Sequence, residues 1–291
     1  MIMVKEILYT TAVDKNGNLI HIDNAEKGIN YYCPICKNEF ILRKSGKTGK
    51  GSKRPHFAHN LLSPNCTPEG VLHYSFKKML INLLGKYKSE NKPLVMSWSC
   101  NFCNNKNSGN LLEKVASIKE EYNLKVCQPD IALLDEKENV FAVVEIVVTH
   151  EPEENVLKYY KENNIILIQI NLSSEEDLND IEKKIIKPNI VDYCLNHQCS
   201  KYGKYIINRK IHIYFELCGG CLSPIEKYKI EINSIFGNKV SFDFTENEIN
   251  LVKARRTNIE IKTNQTTKEK YPKFICLTCK RMRSKYRRSR L

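Results

Sequence analysis

Apolar positions open the chain in two short runs, residues 7–13 and 19–22, split by Asn16 and Gly17, a pair that tight hairpin turns favour. This predicts a β-hairpin, followed by a short strand over 40–42. A helical period takes over at residue 68. Leu72, Phe76, Met79, Leu80 and Leu83 line one face, Thr67 is placed to cap it, Pro68 suits its first turn, and Gly85 follows its last apolar residue. The spacing predicts a helix over 68–84. Its row of Glu69, His73 and Lys77 is either a solvated face with a favourable ion pair or a functional stripe. Strands are predicted over 93–98 and 114–126. Two apolar, β-branched runs, 130–134 and 140–148, flank the turn-forming residues 135–139 and predict an antiparallel hairpin. If Leu134 lies opposite Phe141, the same register sets Asp130 opposite Glu145, with Cβ atoms about 5 Å apart. A helix from Pro152 to residue 161, a buried strand over 165–170, and a helix to residue 186 started by a Ser173/Glu176 capping box complete the series. The order is helix, three strands, helix, strand, helix, an α/β class with a mixed sheet. From Cys194 onward the chain is strand-like.

Composition adds that 27% of residues are charged, with an ordinary apolar fraction, which suits a globular protein of more than one domain. The expected domains are 1–66, 67–190 and 191–291. The first residues lack a long apolar stretch, and Glu145 interrupts the most apolar run. No signal peptide or membrane span is expected, and the location expected is cytoplasmic. The net charge of +13 is uneven, because residues 271–291 hold eight Lys or Arg and no acid. Lys280, Arg281, Arg283, Lys285, Arg287, Arg288 and Arg290 are candidate phosphate contacts, and a glycine-punctuated basic stretch over 43–54 is a second. Either alone reads equally well as a solvated charge run; together they favour nucleic acid as the partner.

The twelve cysteines fall mostly in close pairs, which without a secretory signal favours zinc over disulfides. Cys33 and Cys36 followed by His56 and His59 make a tetrahedral set, with Cys66 able to displace one histidine. Cys218, Cys221, Cys276 and Cys279 suggest a zinc ribbon. Cys194 and Cys199 could complete that site or one with Cys100 and Cys103.

Glu145 stands inside an apolar strand, where an isolated carboxylate costs several kcal/mol or takes up a proton. A second acid opposite it worsens this unless a cation such as Mg²⁺ or Mn²⁺ sits between them. A solvent-facing Glu145, or one paired with Lys77, is the alternative.

Gln128, Pro129 and Asp130, then a turn, then Glu145 in its β-branched run, resemble the signature of the PD-(D/E)XK nuclease superfamily. The two cysteines of the first pair, the basic glycine turn, His56 to His59, and a helix bearing Glu69, His73 and Lys77 resemble the competence protein CoiA-like family over roughly residues 8–171. The resemblance implies a restriction-endonuclease-like αβββαβ core flanked by zinc modules, and a Mg²⁺-dependent nuclease acting on nucleic acid, with DNA the expected form. By the same resemblance Asp130 and Glu145 would bind the metal, Glu69 would add an outer ligand, and DNA processing or defence against foreign DNA would be the setting. The usual lysine two residues after the glutamate is replaced by Val147. His73 and Lys77 are the expected substitutes, His73 carrying a proton and Lys77 offsetting phosphate charge. The competing reading is a catalytically silent nucleic-acid-binding protein that keeps the fold.

Overall fold

The computed structural model describes residues 7–44, 54–61, 66–196, 198–202, 208–255, 259–266 and 270–279. The chain divides into two compact units, Met1–Tyr202 and Gly203–Leu291. The expected division at 190/191 is therefore displaced. Cys194 and Cys199 are tied to Cys100 and Cys103 of the first unit, and residues 1–66 belong to that unit as well.

The first unit opens with β1 (Thr11–Val13), β2 (Leu19–His21), β3 (Tyr31–Tyr32), β4 (Glu39–Arg43) and β5 (His56–His59), which form one antiparallel sheet in the order β2-β1-β3-β4-β5. Gly17 takes φ +83° in the β1–β2 turn, a conformation glycine adopts without penalty. Buried Ala12, Ile22, Tyr31, Phe40 and Phe57 make the core beneath it.

Next comes α1 (Pro68–Ser89), whose Thr67 side chain accepts from the Gly70 amide as an N-cap. The helix runs past Gly85 instead of ending there. Glycine costs about 1 kcal/mol inside a helix, but Leu84 and Tyr87 bury on either side of it and hold the extra turn. The buried face comprises Val71, Leu72, Phe76, Leu80 and Leu84, and Lys77 is buried with it, so the Glu69/His73/Lys77 row is not a solvated face.

Strands β6 (Val95–Ser99) and β7 (Lys106–Asn110) form a hairpin, the second strand lying between the strands predicted over 93–98 and 114–126. The central sheet has the order β12-β11-β10-β9-β8, with β8 (Ser117–Glu120), β9 (Ile131–Leu134), β10 (Val140–Val147), β11 (Ile166–Asn171) and β12 (Ile190–Val191). Helices α2 (Glu154–Glu162) and α3 (Ile181–Ile186) flank β11 in the chain. The capping box lies one residue later than expected, between Ser174 and Asp177, and starts a 3-10 turn. Five strands, β6–β10, lie between α1 and α2 where three are predicted; the last three, β8–β10, belong to the central sheet, and α2, β11 and α3 follow as predicted, in a mixed α/β unit. Strand β10 pairs antiparallel with β9 and parallel with β11. Ala132, Leu134, Val143 and Leu167 pack against Tyr160 of α2, and the alternate positions Ile131, Leu133, Val144 and Ile168 are buried too. A sheet covered on both faces reads as such continuous apolar runs.

The second unit contains β13 (Asn208–Leu217), β14 (Pro224–Ser234) and β15 (Gly237–Ser241) as an antiparallel meander. It also has α4 (Glu246–Arg255) and the hairpin of β16 (Ile259–Thr263) and β17 (Lys270–Phe274). Tyr228, Ile230, Ile232, Phe244, Ile249 and Val252 form its core. No helix among the described residues is long and apolar enough to cross a membrane.

Candidate active site and cysteine clusters

The hairpin of β9 and β10 carries a bulge. Leu134 pairs with Val140 rather than Phe141, and the register then shifts so that Leu133, Ala132 and Ile131 face Ala142, Val143 and Val144. Phe141 is the extra residue. Beyond the bulge the predicted register is the observed one, and extending it by one pair brings Asp130, which just precedes β9, to Glu145.

The two carboxylates are engaged by different helices. Asp130 Oδ2 lies 3.0 Å from His73 Nε2 on α1 and accepts from the Ile146 amide at 2.9 Å. Glu145 Oε1 accepts from the Tyr160 hydroxyl of α2 at 2.5 Å. Burial, reinforced by the charge of Asp130, pushes the Glu145 carboxyl up to about 7, although the Tyr160 hydroxyl pulls the other way. Charge on Glu145 is thus only marginally tolerated at neutral pH, the condition in which a cation beside it is most favourable.

Lys77 is the other buried charge, its side chain only 4% exposed. Its ammonium faces Glu121 at 2.5 Å, Glu120 at 3.6 Å and Asp130 at 3.8 Å. An ammonium in that position without partners would cost several kcal/mol. Glu121 is held in the left-handed region, φ +47°, while its amide donates to the Asp130 carbonyl and its carbonyl accepts from the Gln128 side chain. His73, Lys77, Glu121, Gln128 and Asp130 line one side of a cleft of about 480 Å³ that continues along α1 to Gly70, Tyr74 and Ile35. Glu69 is not part of that lining. It lies one turn earlier on α1, where its charge is felt by Tyr9. Val147 is buried. Glu120, Glu121 and Tyr160 were not singled out from sequence. The two glutamates sit in the weakly patterned 114–126 stretch, and Tyr160 looks like an ordinary helix-face aromatic.

Three cysteine clusters have their ligand atoms within 4.8 Å of one another: Cys33, Cys36, His59 and Cys66; Cys100, Cys103, Cys194 and Cys199; Cys218, Cys221, Cys276 and Cys279. The last is the predicted set. Sulfur separations of 3.5 Å to 4.0 Å in the all-cysteine clusters are far beyond a disulfide. They match the roughly 3.8 Å edge of a tetrahedron with Zn–S near 2.3 Å. Each cluster could hold a structural zinc. Cys194 and Cys199 join Cys100 and Cys103, which settles the alternative left open by spacing. In the first cluster Cys66 takes the place expected for His56. On strand β5, residues three apart point to opposite faces, so His59 turns to Cys36 at 3.2 Å while His56 Nδ1 lies 2.7 Å from the Arg54 carbonyl.

The knuckle backbone repeats. After the second cysteine of the pairs Cys33/Cys36, Cys100/Cys103 and Cys218/Cys221 comes a left-handed residue, Lys37 (φ +62°), Asn104 (+56°) and Leu222 (+57°). Its amide donates to the carbonyl of the first cysteine at 3.0, 2.9 and 2.7 Å respectively. Cysteine spacing alone does not reveal that turn.

The basic tail, Lys280, Arg281, Arg283, Lys285, Arg287, Arg288 and Arg290, lies outside the described residues, as does most of the 43–54 stretch.

Residues 15–67 match the family model "Competence protein CoiA, N-terminal domain", which supports the CoiA-like family. The phenylalanine–tRNA ligase beta subunit of Buchnera aphidicola subsp. Schizaphis graminum (strain Sg) is 25% identical over 237 residues, 79% of this chain and 26% of that protein. The chain thus spans about a quarter of that relative's length. No solved structure matches.

Proposed function

We propose that the chain is a metal-dependent nuclease with a restriction-endonuclease-like core, hydrolysing phosphodiester bonds of nucleic acid, DNA in the first instance. The observation that carries this is the β9–β10 pairing that brings Asp130 to Glu145, where burial and the Asp130 charge push the Glu145 carboxyl up to about 7. Two hard oxygen donors in that state fit Mg²⁺ or Mn²⁺. When bound there, the ion supplies Lewis acidity and a water acidified enough to attack phosphorus. The chain's own residues do the rest. Tyr160 fixes the Glu145 carboxylate. Asp130 orients His73 through Nε2, leaving Nδ1 to take the proton of the attacking water. Lys77 stands in for the lysine absent at Val147, and its buried ammonium offsets charge on the phosphate. The basic tail adds sequence-independent phosphate contacts, and DNA processing or defence against foreign DNA is the setting.

A second reading, a silent nucleic-acid-binding protein, is favoured by one observation: both acids already have protein partners, Asp130 in His73 and the Ile146 amide, Glu145 in Tyr160. Incubating purified protein with single- and double-stranded DNA and RNA, with Mg²⁺, Mn²⁺ or EDTA, decides between them. Cleavage with metal, reduced about 100-fold or more in Asp130→Ala and in Glu145→Ala, is the expected result, with the double variant little worse than either single one. A Glu145→Ala protein that still cuts at the wild-type rate would falsify the assignment.

A further inference from the structure

The cleft has an end that the proposed hydrolysis does not use. Along α1, positions 70, 73, 74 and 77 fall on one side, as residues three and four apart do on a helix. His73 and Lys77 face Asp130, while Gly70 and Tyr74 face the cysteine knuckle that contributes Ile35. Ile35 is 39% exposed although it is apolar and sits in an ordered turn. Gly70 leaves bare backbone beside it, and a Cβ there would stand 3.3 Å from Ile35 Cδ1. This end of the cleft is bounded by an aliphatic side chain, a stretch of bare backbone and an aromatic ring. Two ammonium groups lie against the Tyr74 ring, Lys78 at 5.5 Å and Lys37 at 5.9 Å from its centroid. Lys78 Nζ also pairs with Glu120 at 2.6 Å and Lys37 Nζ donates to the Pro34 carbonyl at 2.6 Å; each is on a flexible four-carbon stem that can exchange these partners for a phosphate.

We propose that Tyr74 is a stacking platform for an unpaired nucleobase next to the phosphate at Asp130, with Lys37 and Lys78 contacting the flanking phosphates. This makes single-stranded nucleic acid, or a frayed end, the substrate class. A base offers its face to an aromatic ring only when it is out of the duplex, and such stacking is indifferent to sequence. The volume of about 480 Å³ suits one or two nucleotides and lies within the range of small-ligand pockets. Tyr74 acts by binding and has no part in the proposed proton transfer or metal binding. The proposal rests on the nuclease reading for the position of the phosphate, but its test does not depend on cleavage.

The probe is a short single strand carrying 2-aminopurine, in DNA and RNA forms, titrated with the full chain in magnesium-free buffer, with the corresponding duplex as control. Stacking quenches the fluorophore. The expected result is quenching by wild type and by Tyr74→Phe. Tyr74→Ala should lose the quenching and bind the single strand roughly tenfold or more weakly, while duplex affinity stays unchanged. Circular dichroism and zinc content of Tyr74→Ala matching wild type exclude misfolding. Equal single-strand affinity and quenching in wild type and Tyr74→Ala, or no quenching by wild type, overturns the proposal. Quenching without Mg²⁺-dependent cleavage keeps the platform and removes the nuclease reading. Cleavage without quenching does the reverse.

Discussion

The first and last cysteine clusters share a backbone and differ in what surrounds it. In both, the residue after the first Cys-x-x-Cys pair, Lys37 or Leu222, is left-handed and its amide closes the turn onto the first cysteine carbonyl. Around Cys218 and Cys221, hydrogen bonds from the Gly220 amide and from Ser223 favour the thiolates, holding the Cys221 thiol down to about 6. Around Cys33 and Cys66, burial dominates and pushes the thiols up. The deeper difference is placement. The terminal cluster ties the β13–β14 turn to the segment after β17 within its own unit. The first cluster ends at Cys66, immediately before the N-cap of α1, and its Ile35 walls the cleft. The same cysteine-knuckle turn is a local staple in one region and borders the cleft in the other.

That contrast can be broken most directly by removing one ligand from each cluster. Structural zinc contributes on the order of 10 kcal/mol to the folding of its module. Cys33→Ser and Cys276→Ser should therefore each release one zinc, measured by metal analysis. Only Cys33→Ser should also abolish cleavage, because α1 and the Ile35 wall lose their anchor. Equal loss of activity in both variants would mean that the clusters do the same work.

A smaller but sharper effect separates the two candidate fourth ligands of the first cluster. Cys66→Ser should lose the zinc and lower the melting temperature by several degrees. His56→Ala should keep the metal, since its ring faces the Arg54 carbonyl from the other side of β5. Retention of zinc by Cys66→Ser together with loss in His56→Ala would restore the two-cysteine, two-histidine set.

Much of the molecule was legible from patterning because the physics there is local. The Thr67 cap, the order of elements around the β9–β10 hairpin, and the Asp130–Glu145 register follow from periodicity and turn residues. What was hidden depended on the third dimension. The bulge at Phe141 leaves no mark in an all-apolar strand. The histidine choice required knowing that residues 56–59 are extended, which puts His56 and His59 on opposite faces. The burial of Lys77 depends on Glu120 and Glu121, over forty residues away in sequence and in a stretch with no clear period. The stripe on α1 could be read as solvated only while those acids were unplaced.

The Asp130–Glu145 pair differs from both cysteine clusters in that its acids are satisfied by protein groups while burial, reinforced by the Asp130 charge, still disfavours the Glu145 carboxylate. A carboxyl raised from 4.5 to about 7 in the folded state stabilises the fold below pH 4.5, and that contribution is lost as pH rises through about 7. The full swing is at most about 3 kcal/mol, at 1.36 kcal/mol per pK unit. Urea unfolding in magnesium-free buffer should therefore show stability declining from pH 5 to pH 8. Glu145→Gln should flatten that decline, and Mg²⁺ should raise wild-type stability at pH 8 while leaving Glu145→Gln unmoved. A pH profile identical in the two proteins would show that Glu145 is not the strained group.

The smallest effect tests the shared turn itself. A non-glycine residue in the left-handed region costs about 1–2 kcal/mol, and glycine removes that cost while adding about 0.5–1 kcal/mol of chain entropy to be lost on folding. Leu222→Gly should therefore stabilise the second unit by roughly 0.5–1 kcal/mol, since the Leu222 side chain is 70% exposed and gives up little packing. Lys37→Gly relieves the same strain at the same turn position, but it also removes the ammonium beside Tyr74 and the hydrogen bond from Nζ to the Pro34 carbonyl. Its gain in stability should be smaller, and single-strand affinity should fall with it. Denaturant midpoints and the fluorescence titration read the two quantities separately. If both substitutions stabilise equally and leave affinity untouched, the first knuckle is as much a bystander as the last. If only Lys37→Gly costs affinity, position in the fold, not the coordination motif, has given the first knuckle its role.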